Sequence, residues 1–258
     1  MRTLKLTIAY DGTRYVGWQR QARGTSVQAL VEATIATIEG RPVRVTGSGR
    51  TDAGAHALGQ VASVDLRHPI SPRDLRRAIN ARLPDDVRIV DVAEVRPGFN
   101  ARFAARSKTY RYRILNNEVG DPFERDRAWR IGPALDAAAM REALRLVVGT
   151  HDFVAFQASG SHVRTTTRTV TSARLWQGHE HPEERRPDVL VIEITGDGFL
   201  RHMVRTVVGT LVEVGLGRRD AASLAEALAQ RDRRLAGPTA PAHGLFLVRV
   251  DYLDPVEP

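Results

Sequence analysis

The stretch TLKLTIAYDG, residues 3–12, decides the fold. Leu4, Leu6, Ile8 and Tyr10 recur at period two with Thr3, Lys5 and Thr7 between them, the signature of a half-buried strand, and Asp11-Gly12 breaks it. Outward from there, Thr25 with Gln28 three positions on makes a capping box, and Val27, Leu30, Val31, Thr34, Ile35 and Ile38 keep helical spacing as far as Gly40. Strands are expected at 43–45 and 58–66, with the glycine-rich stretch 47–54 between them. Ser71-Pro72 opens a second helix, with Ser as cap and Pro at the first helical position, and 87–95 reads as another strand. The first 96 residues thus run strand, helix, strand, strand, helix, strand.

The rest of the chain repeats that order. Strands are predicted at 106–115, 168–177, 188–196 and 245–253, and helices at 136–148 and 199–215. The pattern matches a split βαβ, ferredoxin-like unit used twice, an α+β class with mostly antiparallel sheets. A boundary near Pro97-Gly98 divides the chain into halves 1–97 and 98–258. The connection 116–134 is too long to be idle.

Composition narrows the function. The 258 residues carry 38 Lys plus Arg against 30 Asp plus Glu, a net charge of +8. Lys5 and Lys108 are the only lysines, so nearly all of that positive charge is arginine, whose planar fork suits phosphates and base edges. Polyanions are natural partners. With no cysteine, thiolate catalysis, thiolate metal sites and disulfides are excluded. No apolar run approaches the roughly 18 residues of a membrane span, and residues 1–10 lack a signal-peptide pattern. A cytoplasmic protein is expected.

Three stretches have chemical content. In Ser48-Gly49-Arg50-Thr51-Asp52-Ala53-Gly54-Ala55-His56, one cation and one carboxylate stand on flexible backbone between two core strands. Such a loop either presents Asp52 at a cleft or is a glycine-rich turn capped by Asp52. In Lys108-Thr109-Tyr110-Arg111-Tyr112-Arg113-Ile114, the two tyrosines share one strand face and the two arginines the other. Rings beside cations suit stacking on bases, though the tyrosines serve equally as core. In the stretch from Gly198 to Arg205, helical spacing puts Arg201 and Arg205 on one face. A guanidinium on a largely buried helix needs an anion, and a buried carboxylate needs a cation. Pairing Arg205 with Asp52 would resolve both, an attraction of order 4 kcal/mol at roughly 4 Å before desolvation.

Metal and hydrolytic motifs are weak. There is no HExxH among the eight histidines, His179-Glu180-His181 reads as a polar tip, and His151-Asp152-Phe153 reads as a helix-exit turn. Gly47-Ser48-Gly49 lacks nucleophile-elbow spacing.

At Gly49-Arg50-Thr51-Asp52-Ala53-Gly54 the chain resembles the TruA family of tRNA pseudouridine synthases. The likeness runs on, in order, through Tyr10-Asp11-Gly12, Gly17-Trp18-Gln19-Arg20-Gln21, Gly59-Gln60-Val61, Asn100-Ala101-Arg102-Phe103 and Tyr110-Arg111-Tyr112. It continues at Gly149-Thr150-His151-Asp152-Phe153, the stretch from Phe199 to Arg205 with Gly209, and Gly237-Pro238-Thr239-Ala240-Pro241. Asn100 stands where the family commonly has His, Ala55 where it has Val, and Phe246 where Tyr is frequent.

The resemblance implies the pseudouridine synthase fold, two ferredoxin-like halves joined across a central cleft, and a homodimer. It implies isomerisation of uridine to pseudouridine at positions 38, 39 and 40 of the tRNA anticodon stem-loop, with neither metal nor organic cofactor. By the same resemblance Asp52 is the catalytic carboxylate, Tyr110 stacks on the target uracil, Arg50 extrudes the nucleotide and Arg205 pairs with Asp52. The competing readings are a non-catalytic structured-RNA-binding protein and a metal-dependent phosphoryl-transfer enzyme using Asp52 and His56.

Overall fold

The computed structural model describes residues 1–158, 160, 163–178 and 186–253. The chain gathers into two compact units, one formed by Met1–Lys108 with the chain from Phe246 on, the other by Thr109–Leu245.

In the first unit, β1 (Arg2–Tyr10) lies between β3 (His56–Leu66) and β4 (Val87–Val95), antiparallel to both. A two-residue strand, β2 (Thr46–Gly47), adds to β3. The final strand, β10 (Leu245–Tyr252), returns to this unit and pairs parallel with β3, Phe246 opposite His56 and Leu247 opposite Ala57. Leu4, Leu6 and Ile8 are fully buried, as their alternation demands. So are Val27, Val31 and Ile35 of α1 (Val27–Glu39) and Leu75 and Ile79 of α2 (Pro72–Asn80). β3 is buried along nearly its whole length because a second cluster, Val61, Val95, Phe99 and Ala101 with Tyr252 against them, adds to its packing.

The second unit has the strand order β5-β9-β8-β7, from β5 (Ala105–Asn116), β9 (Val189–Gly196), β8 (Thr167–Gln177) and β7 (Gly149–Asp152). A short β6 (Trp129–Ile131) runs parallel to β5. α3 (Ala137–Arg145) packs on α4 (Met203–Gly215), which is buried on almost every side, and α5 (Ser223–Gln230) follows. The class is α+β with mostly antiparallel pairing, as expected.

Several local expectations are corrected. Helix α1 is capped by Ser26, whose Oγ accepts from the Ala29 N–H at 3.3 Å, and not by Thr25. Gln28 makes no capping box: its amide donates to the Val45 carbonyl at 2.9 Å, and its own carbonyl accepts from Arg20 N–H. Residues 43–45 form no strand, because buried Glu32 accepts the Val45 N–H at 2.9 Å and removes it from any ladder. The 136–148 helix ends at Arg145, and His151-Asp152 belongs to edge strand β7, not to a turn. The 199–215 helix begins four residues late, at Met203. His202 stands at φ 64°, and the Arg201 carbonyl is taken by the Ala158 N–H at 3.0 Å. Arg201 is therefore off the helix and shares no helical face with Arg205. The His179-Glu180-His181 tip lies outside the described residues.

At the C-terminal end of α1, Glu39 accepts from the Arg67 N–H at 2.7 Å, the His68 N–H at 3.0 Å and the Arg41 guanidinium at 2.8 Å. Burial raises its carboxyl, but those bonds outweigh it and the pKa falls below the ordinary glutamate value. A depressed folded pKa gives stability that is present above the unfolded value and lost as pH falls through the folded one. Glu39→Gln is therefore expected to be less stable than the wild type at neutral pH, with the gap in denaturant midpoint closing below about pH 4. A gap that stays constant from pH 7 to 3 would refute the assignment.

Candidate active site

The loop from Ser48 to Ala55 leaves β2 and enters β3, and the opening segment of the chain fixes it. Its first end is tied to β3: Ser48 N–H donates to the Val61 carbonyl at 2.8 Å and Ser48 Oγ to Gln60 Oε1 at 2.7 Å, while the Gln60 amide donates to the Gly49 carbonyl at 2.9 Å. In the middle, the Tyr10 and Thr51 hydroxyls share a 2.7 Å hydrogen bond and the Trp18 N–H donates to the Thr51 carbonyl at 3.2 Å. Burial pushes the Tyr10 phenol up, against the opposing bonds to Thr51 and Gln60, so at neutral pH it is a fixed neutral strut.

Two glycines of the opening segment permit this approach. A Cβ on Gly12 would lie 1.9 Å from the Ala55 carbonyl oxygen, and one on Gly17 would lie 2.5 Å from the Thr51 carbonyl oxygen. Gly17 also holds φ 101°, conformational space that side chains disfavour. At the far end the Gly54 N–H donates to the Tyr15 carbonyl at 3.3 Å, and the Ala55 N–H closes a turn on the Asp52 carbonyl at 3.1 Å. Asp52 itself is half-buried and Arg50 is exposed.

His56 locks the exit. It is 2% exposed and stacks on Phe246 with centroids 4.5 Å apart at 22°. Its Nδ1 lies 3.0 Å from the Gly12 N–H, as acceptor, and 3.3 Å from the Asp11 carboxylate. Sequence reasoning passed over His56 except as a metal ligand. Among the described residues no three His, Asp or Glu side chains cluster to hold a metal.

The second unit carries Tyr110 and Arg205. Tyr110 is 7% exposed and meets Phe199 edge-on at 5.1 Å. Tyr112, on the same strand face, is fully buried and donates its hydroxyl to the Pro241 carbonyl at 2.7 Å. Its phenol is raised by burial, with the nearby Arg205 charge opposing. Arg205, half-buried, donates Nε–H to the Ala240 carbonyl at 2.7 Å, and the Ala240 N–H donates back to the Arg205 carbonyl at 3.1 Å. Bonding at Nε fixes the plane of the guanidinium. The segment 237–241 lies along α4 because Gly209 lets it: a Cβ there would be 1.8 Å from the Pro238 carbonyl oxygen.

Arg111 and Arg113 of β5 are engaged within the fold. Arg111 pairs with Glu193 at 2.9 Å and lies over the Trp176 ring, and Arg113 pairs with Glu124 at 2.9 Å. The charged face expected of that strand is thus neutralised by carboxylates.

Residues 6–104 and 143–253 match the family model described as tRNA pseudouridine synthase, and the chain belongs to that family. It is an enzyme, an isomerase of tRNA modification. The matched segments take in Arg50, Asp52 and Arg205, while Tyr110 falls between them.

Proteins named tRNA pseudouridine synthase A are similar along the whole length. That of Acetivibrio thermocellus is 43% identical over 252 residues, covering 98% of this chain and 100% of that protein. That of Geobacter sulfurreducens is 44% identical over the same span and coverage. That of Myxococcus xanthus is 42% identical over 254 residues, 98% of this chain and 93% of that protein. Among solved structures, a Cbf5-Nop10-Gar1 complex aligns at a TM-score of 0.38 and 13% identity over 95% of this chain and 48% of that chain, a likeness too low to carry an inference. No helix among the described residues is long and apolar enough to cross a membrane.

Because the atom that a Cβ at Gly12 would meet is the backbone carbonyl oxygen of Ala55, Gly12→Ala cannot be absorbed by a side-chain rotation. The substitution is expected to cost about 1–3 kcal/mol, lowering the melting temperature by roughly 3–10 °C. An unchanged melt would show that the opening segment does not brace the loop.

Proposed function

We propose that the protein isomerises uridine to pseudouridine at positions 38, 39 and 40 of the tRNA anticodon stem-loop, with Asp52 as the catalytic carboxylate. The observation that carries the reading is the bracing of the Asp52 loop by Tyr10, Gly12, Gly17 and Trp18, which ties the family's opening motif to the loop it shares with the family. The N-terminal half, 1–97, supplies that carboxylate. The C-terminal half, 98–258, supplies Tyr110 and Arg205.

The chemistry asks little beyond these groups. The bond between ribose C1′ and N1 of uracil breaks, the base turns, and a bond from C1′ to C5 forms as C5 loses its proton and N1 takes one up. The change is redox-neutral, so no metal or organic cofactor is invoked. Asp52 either attacks C1′ or removes a ribose proton. Tyr110 stacks on the turned uracil, and Arg50 occupies the space the extruded nucleotide vacates. Extrusion costs a few kcal/mol, offset by phosphate contacts from the arginine-rich surface. Arg205 is the cation that pairs with the Asp52 carboxylate, its own guanidinium bonded at Nε to the Ala240 carbonyl. The protein acts in the cytoplasm as a homodimer.

In the presence of EDTA and no added cofactor, the protein is expected to release tritium from anticodon stem-loop RNA labelled at C5 of uridine. Asp52→Asn should lower that release at least about a hundredfold while leaving tRNA affinity intact. Release by the variant at the wild-type rate would remove Asp52 from the reaction. Arg205→Ala is expected to depress kcat about tenfold or more with a much smaller change in tRNA affinity, and equal losses in both would make it a phosphate contact instead.

A further inference from the structure

From Arg96 to Lys108 the chain carries four cations, Arg96, Arg102, Arg106 and Lys108, and no carboxylate. In the middle stands Phe103, 81% exposed. Its exposure is built, not accidental. The flanking Phe99 and Ala101 are buried in the second cluster of the first unit, at 6% and 0%. The Ala101 N–H donates to Ser63 Oγ at 3.2 Å, and its carbonyl accepts the Tyr252 hydroxyl at 2.9 Å. Asn100 then makes the turn: its Oδ1 accepts from the N–H groups of Arg102 at 3.0 Å and Phe103 at 3.2 Å, and the Ala104 N–H closes on its carbonyl at 3.0 Å. The Arg102 guanidinium lies over the Phe103 ring, 5.7 Å from its centroid. The nearby acid, Asp251, is engaged by Ser107 Oγ at 2.6 Å and by Arg249 at 3.3 Å.

We infer that this turn is an RNA-contact site, in which an unpaired nucleobase of the tRNA stacks on Phe103 while Arg102, Arg106 and Arg96 take the adjoining phosphates. The inference rests on the proposed tRNA substrate. One ring face carries a guanidinium, and the flat apolar surface beside it matches a base; every base has such a face, so stacking of this kind tolerates sequence. Charge distinguishes this patch from the exposed pair Val119 and Phe123, at 92% and 87% exposed. There Asp121, Glu124 and Asp126 are each paired with an arginine, Arg186, Arg113 and Arg125, so the cations beside that pair are already engaged by acids.

The test is the affinity of the full chain for an unmodified tRNA transcript, read beside tritium release, for Phe103→Ala, Phe103→Leu and Phe103→Trp. The expected result is about tenfold weaker binding for Ala and Leu, wild-type binding for Trp, and kcat at saturating tRNA unchanged. Melting temperatures should match the wild type, since the side chain packs on little. Arg102→Gln and Arg106→Gln should each lower the salt slope of binding by about one. Wild-type affinity in Phe103→Ala, or full rescue by Leu, would overturn the inference. So would loss of self-association in sedimentation with tRNA affinity intact, which would give this face to a second copy of the chain. Affinity is measured without turnover. A wild type that binds tRNA through Phe103 but releases no tritium would therefore sink the proposed reaction and leave this site standing.

Discussion

Backbone meeting backbone, with no room for a side chain between, is the constraint on which the first unit depends. The turn at Gly12 and the bend at Gly17 lie against the carbonyls of Ala55 and Thr51, and Asp52 sits between those two points. Tyr10 and Trp18, at the ends of the same segment, add a hydroxyl and an amide to the same short run. A carboxylate on a glycine-rich loop would ordinarily sample many positions, losing the benefit of a prepared geometry. Here its flanking peptide groups are held from the opposite wall. Two glycines and a buried tyrosine thus turn flexible backbone into a fixed mount.

Arginine is used in two distinct ways. Arg111 and Arg113 are largely buried against Glu193 and Glu124, Arg20 reaches buried Glu32, and Arg186 bridges Asp121 and Asp188. Pairs of this sort hold strands and connections together and offer little to a polyanion. Arg186 and Asp188 move each other's pKa in opposite directions, up and down, as paired charges do. The arginines of the 96–106 segment have no carboxylate in their own stretch of chain. Net charge alone does not separate these populations; the pairing does.

Much of this was legible from the sequence for a physical reason. Period-two and period-3.6 burial are local consequences of backbone geometry, so β1, α1, α2, β4 and the long strands declared themselves. The failures share a cause as well. Residues 43–45 have strand composition, but Glu32 on α1 claims their N–H, a contact no window of neighbours reveals. The start of α4 was misplaced because His202 adopts a left-handed conformation that a helical pattern does not announce. α5 carried a signal, with Leu224, Ala227 and Leu228 buried at helical spacing, but the run is short. At the site, Asp52 and Arg50 stood out by loop composition and family resemblance. His56 did not, because its ring stacks on Phe246, and that partner is far away in the chain.

That distance bears on how the molecule is made. The strand that pairs beside the exit of the Asp52 loop is made only after the whole second unit, since Phe246 and Leu247 stand opposite His56 and Ala57. The N-terminal sheet therefore emerges with an open edge and keeps it through the synthesis of the whole second unit. Contacts of such long sequence separation form slowly and leave an edge exposed in the meantime. The mount for the carboxylate is begun by Tyr10, Gly12 and Gly17 and finished by Phe246 and Leu247, so a chain stalled before β10 would hold the loop without its closing strand.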